Sequence, residues 1–355
     1  MTVETVIVRA GGRDFVNWEV VHVSASIREA ARSFQVTAAA VGGLAALATL
    51  LPNGTAVDIL AGSDLLCRGY VDRRRPVLSP DRGEVVIHGR SRAQDVVDCS
   101  AMHETGRFEN VTVKDVATAL DRFGVGFVTD ETLGKIGKVQ VHPGESVFGC
   151  LSRLCASQEL TMAGEADGSI RFYRAGRAKK HAGGLIEGQN LQHGEADHDF
   201  RQRHSKHHVR GQRPLGMGVD ALEVEAVASD ATVKRHRPLI TVIQDDIDHA
   251  GATRRARGRR DRSAGRGLTA SITVVGWRDP SGTVWTPGWK VWVESPFLGL
   301  AQDMLIETAS FSQSGGEGAA TKTVLHLVDP RAYGGKKGKG NKSKPAWDMD
   351  ESNVE

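Results

Sequence analysis

Five histidines, His193, His198, His204, His207 and His208, share a short run with Asp197 and Asp199. Imidazole and carboxylate together ligate zinc or iron. Their spacing matches no HExxH or other named metal motif, and adjacent His207 and His208 point to opposite faces if the run is a strand. The run therefore reads as polar strand and loop, with no metal and no cofactor expected. A second cluster, Arg254, Arg255, Arg257, Arg259, Arg260, Arg262 and Arg266, is interrupted by a single acid, Asp261. A basic helix of this kind neutralises phosphates in a salt-dependent way, or is a solvated face or one that pairs with acids on a neighbouring subunit. No aromatic residue is interleaved, so a base-stacking platform is not expected. The carboxylate pairs Asp245/Asp246 and Glu223/Glu225 have no defined cleft, and a glycosidase needs two carboxyls about 5–10 Å apart across a sugar. No GxSxG, P-loop or GxGxxG falls between a strand and a helix. No catalytic residue is expected, and the chain reads as not an enzyme.

The elements that must position these side chains are mostly short strands. The chain has 355 residues with 41 glycines and 5% aromatics, which favours many turns over long bundles and allows two or three domains. Net charge is +3, too mild to imply a nucleic-acid protein by itself. Four cysteines, Cys67, Cys99, Cys150 and Cys155, form no CxxC pair and read as reduced, buried thiols of a protein folded in a cytosol. Met1-Thr2-Val3-Glu4 lacks the basic start of a signal peptide. The apolar stretch 38–51 is shorter than the ~18 residues of a membrane span and reads as a loop or short helix.

Alternation predicts strands over 3–10, 16–24, 34–37, 56–60, 65–71 and 84–89, with a hairpin turn at Ala61-Gly62-Ser63-Asp64 and another turn at Ser79-Pro80-Asp81-Arg82-Gly83. Thr112 with Asp115 gives capping-box spacing ahead of Val116, Leu120 and Phe123. Pro143-Gly144-Glu145-Ser146 opens a second helix carrying Val147, Phe148, Leu151, Leu154 and Cys155. Leu160–Ala163 and Ser169–Tyr173 form a hairpin across Asp167-Gly168. A helix is predicted over 245–262, weakened by Gly251 and Gly258 at roughly 1 kcal/mol each, followed by a strand over 268–275. No short-period repeat is visible.

Residues 276–333 hold four of the six tryptophans, Trp277, Trp285, Trp289 and Trp292, in short alternating runs between Pro, Gly, Asp and Ser clusters. Tryptophans in such a setting are core or interface anchors. The segment contains Gly276-Trp277, Asp279-Pro280-Ser281-Gly282, Trp285-Thr286-Pro287-Gly288, Pro296-Phe297-Leu298-Gly299-Leu300 and Leu327-Val328-Asp329-Pro330. In that order and spacing it resembles the baseplate hub proteins of Mu-like contractile-tailed phages. Gly69-Tyr70-Val71-Asp72-Arg73-Arg74, Gly89-Arg90-Ser91, Asp95-Val96-Val97-Asp98-Cys99-Ser100 and Val209-Arg210-Gly211-Gln212 carry the same resemblance. The Ala-rich 38–51 segment departs from the Pro- and acid-rich loop usual there.

The resemblance implies a β-rich α+β protein with two tube-like antiparallel β-barrel domains. An α+β domain lies between them, with a helix-containing insertion. The implied boundaries are 1–98 for the first barrel, 99–176 for the α+β domain, 177–214 with 268–333 for the second barrel, 215–267 for the insertion with its basic helix, and 334–355 for a disordered tail. It further implies a homotrimer whose six barrels make a pseudo-sixfold ring. That ring would join the sixfold tail tube protein to the threefold central spike, contact baseplate wedge and tape measure proteins, and leave a channel for transient contact with passing DNA. The place would be the virion tail baseplate, assembled in the host cytoplasm without membrane insertion. Arg254, Arg255, Arg257, Arg259, Arg260, Trp285, Trp289 and Trp292 are the candidate interface or channel contacts. The alternatives are a tail-associated cell-wall hydrolase and a DNA-binding protein using the Arg254–Arg266 helix.

Overall fold

Period-two alternation writes most of this chain. In the strand Gly83–Ser91 every odd residue is buried and every even one half-buried, so one face packs on a core and the other meets water. The computed structural model describes residues 4–16, 18–39, 51–80, 83–158, 160–174, 178–212, 224–315 and 320–335. Most of the 38–51 segment, residues 213–223 and nearly all of the expected disordered tail lie outside them.

The first part contains β1 (Val6–Ala10), β2 (Arg13–Phe15), β3 (Val20–Ser26), β4 (Ser33–Ala39), β5 (Ala56–Ala61), β6 (Asp64–Leu78) and β7 (Gly83–Ser91). The middle part contains α1 (Gln94–Asp98), β8 (Arg107–Val111), α2 (Val113–Leu120), β9 (Phe127–Thr129), β10 (Ile136–Gln140), α3 (Val147–Ser157), β11 (Thr161–Gly164) and β12 (Ile170–Tyr173). The last part contains β13 (Lys180–Ile186), β14 (Leu191–His198), β15 (Lys206–Gln212), β16 (Val224–Ser229), β17 (Pro238–Asp246), α4 (His249–Arg266), β18 (Leu268–Val275), β19 (Lys290–Ser295), β20 (Leu300–Ser314), β21 (Ala320–Val328) and a 3-10 turn, Pro330–Tyr333.

The molecule is a β-rich α+β protein built on one 13-stranded sheet. Its main path runs β14-β18-β21-β20-β3-β4-β7-β6-β5-β1-β2, with β19 added to β20 and β13 to β19. Every pairing in it is antiparallel except β13 with β19. The path contains the same unit twice, as β3-β4-β7-β6-β5 and as β14-β18-β21-β20-β19, and the five strands of each unit also come in the same order along the chain. The long members, β6 and β20, are both 15 residues. Each gives its first half to one hairpin partner and its second half to the next, with a register shift between, at Val71/Arg73 and at Ile306/Thr308.

The two units are joined directly. β20 pairs with β3 from Thr308 opposite Ser26 to Ser314 opposite Val20. On one face of this seam Ala309, Phe311 and Val23 are buried in a core that spans both units, where each large apolar side chain contributes roughly 1.5–3 kcal/mol, and Ala25 is buried beside them. The expected pair of tube-like barrels is therefore corrected for the single chain: no closed barrel forms among the described residues. The reason is that β20 continues from β21 into β3, so the ladder passes from one unit to the next instead of returning on itself.

The middle part has its own core, with Val116, Leu120, Leu151 and Phe172 fully buried. Thr112 and Asp115 form the expected capping box, and Ser146 caps α3 by accepting from the Gly149 N–H at 3.1 Å. Residues 206–212, grouped above with the second barrel, are instead β15, the centre of a separate sheet β16-β15-β17. Alternation marks a strand without saying which sheet receives it. The predicted helix starts four residues later than expected, at His249, where Asp248 caps it by accepting from the Gly251 N–H at 2.7 Å. This helix, α4, lays a face of small residues, Ala252, Ala256 and Ala264, into the structure. At its end a Cβ on Gly265 would lie 2.0 Å from the Ala332 nitrogen, so only glycine permits this approach to the 3-10 turn. No helix among the described residues is long and apolar enough to cross a membrane.

Candidate functional site

The largest built feature is the solvent face of the ladder. A row of facing residues, Thr273, Val324, Ser310, Ser24, Ser33 and Arg90, crosses six strands in succession. Part of this face is a concavity of about 900 Å³ lined by Ser24, Ser26, Glu195, Asp197, Thr308 and His326 among others. Among the strand edges without a partner in the described residues are the outer edge of β14, which pairs only with β18, and that of β6 beyond Tyr70, which pairs only with β7.

The tryptophan-rich segment is held by buried polar chemistry. Asp279 accepts from the Ser281 N–H (2.9 Å), the Ser281 hydroxyl (2.6 Å), the Thr283 N–H (3.0 Å) and the Ala182 N–H (3.1 Å), and its Oδ2 lies 2.9 Å from His181 Nδ1. The Thr286 N–H donates to His181 Nε2 at 3.1 Å. An N–H needs a lone pair, so Nε2 is bare, Nδ1 carries the proton toward Asp279, and the ring is neutral. The His181 ring lies 4.8 Å from both Trp285 and Trp289. Although it contains a histidine and a carboxylate, this dyad has both ring nitrogens occupied and the pair is buried, so it is a structural knot without a position for substrate.

Burial drives the His181 pKa below the ordinary histidine value, outweighing the hydrogen bond and charge of Asp279. Burial alone would raise the Asp279 carboxyl, but its donors, led by Ser281 and His181, hold it down at about 2. The unfolded chain therefore takes up a proton at His181 before the folded one does. The resulting stability is fully present above about pH 6.5 and is lost as pH falls below it, whereas the Asp279 contribution persists until about pH 4. We expect the melting temperature to fall between pH 7 and 5, and the slope to flatten in His181→Asn; an unchanged slope in that variant would exclude His181 as the source.

Arg278 ties the two units together a second time. It donates to Glu4 at 2.9 and 3.0 Å and to the Ala61 carbonyl at 2.8 Å, and it pairs with Asp64 in the β5–β6 hairpin. Trp277 is buried against Phe311 and donates to the carbonyls of Ser312 and Lys322. Trp285 is also core, 3% exposed in the single chain. Trp289 and Trp292 are half-buried, with Lys179 and Lys180 over their rings.

The arginine cluster is divided by its helix. Arg254, Arg255, Arg259 and Arg262 line a cleft of about 1130 Å³ shared with Lys138 and Arg153 of the middle part. Burial, with Arg262 and Arg255 alongside, pulls Arg259 below the ordinary arginine value. Arg257 is exposed, and Arg260 turns to Asp261 at 2.9 Å. The histidines do not converge. His193 and His198 are on β14, with His198 Nε2 2.9 Å from the Leu298 carbonyl. His207 is buried and packs edge-on to His204, while His208 lies 2.8 Å from Glu225. Among the described residues no group of three metal-ligating side chains comes together. Sequence reasoning missed His181, which stands 98 residues from Asp279. Only the Asp-Pro-Ser-Gly turn pointed there.

Three family models match in succession. Residues 5–91 match the N-terminal domain of Mu phage baseplate assembly protein GpP-like proteins, residues 93–174 the second domain of gp44-like baseplate hub proteins, and residues 248–334 the fourth domain of Mu phage baseplate assembly protein GpP. Baseplate hub protein gp44 of Escherichia phage Mu is 27% identical over 343 residues, covering 90% of this chain and 87% of that one. The 43 kDa tail protein of prophage MuSo2 from Shewanella oneidensis superposes with a TM-score of 0.80 at 26% identity, covering 93% of this chain and 99% of that one. A tail protein from Neisseria meningitidis MC58 shares the fold, with a TM-score of 0.78 at 24% identity over 93% of this chain and 99% of that one. The duplicated ladder, together with these matches, defines a structural component of a phage tail baseplate. The chain belongs to the Mu phage baseplate hub family, gp44/GpP, a structural and typically non-enzymatic family.

Proposed function

We propose that this hub protein acts as a trimer whose six ladder units form a pseudo-sixfold ring between the sixfold tail tube and the threefold central spike. The observation that carries this reading is the repeated five-strand unit, with the seam β20–β3 joining one copy to the next. Two like units in one chain imitate two neighbours of a hexamer, so three chains supply six positions while keeping threefold symmetry. The barrel that a single chain leaves open closes in the ring. Its polar, concave face then lines the channel through which DNA passes, and the tape measure protein before it. Baseplate wedge proteins contact the outside. In this reading the α4 cleft, with Arg254, Arg255 and Arg259, faces an acidic neighbour and not the channel.

Light scattering should give three times the 38.2 kDa chain mass, and images of the particles should show a threefold ring with a central hole. A monomer or dimer at every concentration would sink the proposal. The same images locate α4: finding it on the wall of the hole would return the DNA contact to its arginines.

A further inference from the structure

The repeat inside the chain fixes more than a symmetry, because it carries a register. Inside the chain, the second half of β20 pairs with β3. In the repeat, β6 corresponds to β20 and β14 corresponds to β3. The equivalent pairing would join the second half of β6 to β14, and both of those edges are without a partner strand among the described residues. We propose that β6 of one subunit pairs antiparallel with β14 of a second copy of this chain, repeating the internal seam between subunits. The proposal rests on the ring reading and adds to it the strands, the register and the residues.

The register follows from ladder positions alone. Arg73 stands opposite His88 just after its strand's register shift, as Thr308 stands opposite His326. Ser24 stands opposite Ser33, which faces Arg90, and Asp197 stands opposite Thr269, which faces Val328. Arg90 and Val328 in turn face the matching residues Tyr70 and Leu305. Transferred across, the internal pair Ser310–Ser24 becomes Arg75 opposite Asp197, Thr308–Ser26 becomes Arg73 opposite Asp199, and Ser312–His22 becomes Val77 opposite Glu195.

No charge entered that transfer, yet it sets arginine against aspartate twice on the same face. Arg73, Arg75, Glu195 and Asp197 are exposed and have no ion-pair partner among the described residues. Asp199 is already held by Arg201, which makes Arg75–Asp197 the leading pair. Opposite charges directly across an antiparallel pair attract, and like charges repel. A basic β6 edge therefore rejects a second β6, and an acidic β14 edge rejects a second β14. Two unlike edges on one chain make a head-to-tail contact, the kind that closes into a ring. Leu78, 75% exposed at the end of β6, and Phe297, 89% exposed in the turn beside β14, would gain cover at the same junction.

The test uses the full chain with cysteines at both positions, Arg75→Cys and Asp197→Cys. Opposed antiparallel residues have Cα atoms about 4.5–5.5 Å apart, within disulfide reach. Oxidation should give a covalent trimer on a non-reducing gel. The off-register pair Val77→Cys with Asp197→Cys should give at least about tenfold less, since diagonal neighbours lie about 7–8 Å apart. Arg75→Glu alone and Asp197→Arg alone should each raise the concentration at which the trimer dissociates by about tenfold or more, and the double swap should restore it to within about threefold. A wild-type trimer by mass that cross-links equally or better off register, or not at all, would overturn the strand pairing and leave the ring standing. Single reversals without effect, or a double swap that fails to restore assembly, would overturn the ion pair. A wild-type chain that is monomeric at every concentration would remove the ring reading itself.

Discussion

Asp279→Ala is expected to destabilise the protein by roughly 3–5 kcal/mol, the range for removing one member of a buried charged network. The carboxylate collects donors from Ser281, Thr283, Ala182 and His181. Ser281 is exposed and recovers water, but His181 is buried and its Nδ1–H would be left unpaired. Because the Thr286 N–H already occupies Nε2, the imidazole has no second tautomer to retreat to. Asp279→Asn keeps the size and one acceptor oxygen, so about half the loss is expected from it. At roughly 2–4 °C per kcal/mol for chains of this class, thermal melting distinguishes the two. An alanine variant melting within about 2 °C of the wild type would show that the donors find other partners, and that the knot does not hold the segment. The loss should extend to assembly, because the same segment carries Arg278, the second link between the two units.

Local signals were legible in the sequence wherever the cause is local. Thr112 and Asp115 are three residues apart and form a capping box. Gly62 takes φ +58 in the hairpin between β5 and β6. The strand expected at 268–275 is β18 to the residue. The repeat was not legible, although it dominates the fold. Val57 and Ile59 of β5 occupy the positions of Val291 and Val293 in β19, so the two copies share burial and little else. The insertion of β15–β17 and α4 also separates the first two strands of the second copy. A ladder asks only for an apolar residue at every second position, and that requirement leaves no fixed period to detect. The candidate site divides in the same way. The arginines were visible as a run, but their division between cleft and solvent depends on helix phase and on what α4 packs against. The pairing of His181 with Asp279 depends on β13 reaching β19, a long-range contact that neither residue announces. Trp285 and Trp289 are neighbours in sequence, yet they separate into core and half-buried positions because a turn lies between them.

Arg32→Met is expected to cost about 2–4 kcal/mol, from two buried carbonyls losing their donor at about 1–3 kcal/mol each and a partial offset because no charge is then buried. The guanidinium donates to the Gly164 carbonyl at 3.0 Å and the Leu66 carbonyl at 2.8 Å, while the Arg32 N–H donates to the Ser91 hydroxyl at 3.1 Å. One side chain thus fastens the start of β4 and the first half of β6 to the β11–β12 hairpin of the middle part. Burial lowers its pKa, with the charges of Glu165 and Asp167 acting against that effect. The neighbouring Cys67 thiol is pushed up to about 12 by burial and stays neutral, so it does not serve as a counterion. The contact is close throughout: a Cβ on Gly164 would lie 2.1 Å from the Ala30 carbonyl oxygen, so the backbone cannot shift to replace the lost donor. Hydrogen exchange should quicken at β4, β6 and β11 in the variant while the β15–β17 sheet and α4 keep their protection, because none of the hydrogen bonds of Arg32 is to them. Uniform loss of protection would mean that Arg32 supports the whole fold, and a melting temperature within about 1 °C of the wild type would mean that it supports neither part. The intermediate outcome identifies Arg32 as the joint that holds the middle domain in a fixed attitude to the ladder, which is what a hub requires if load on one is to be felt by the other.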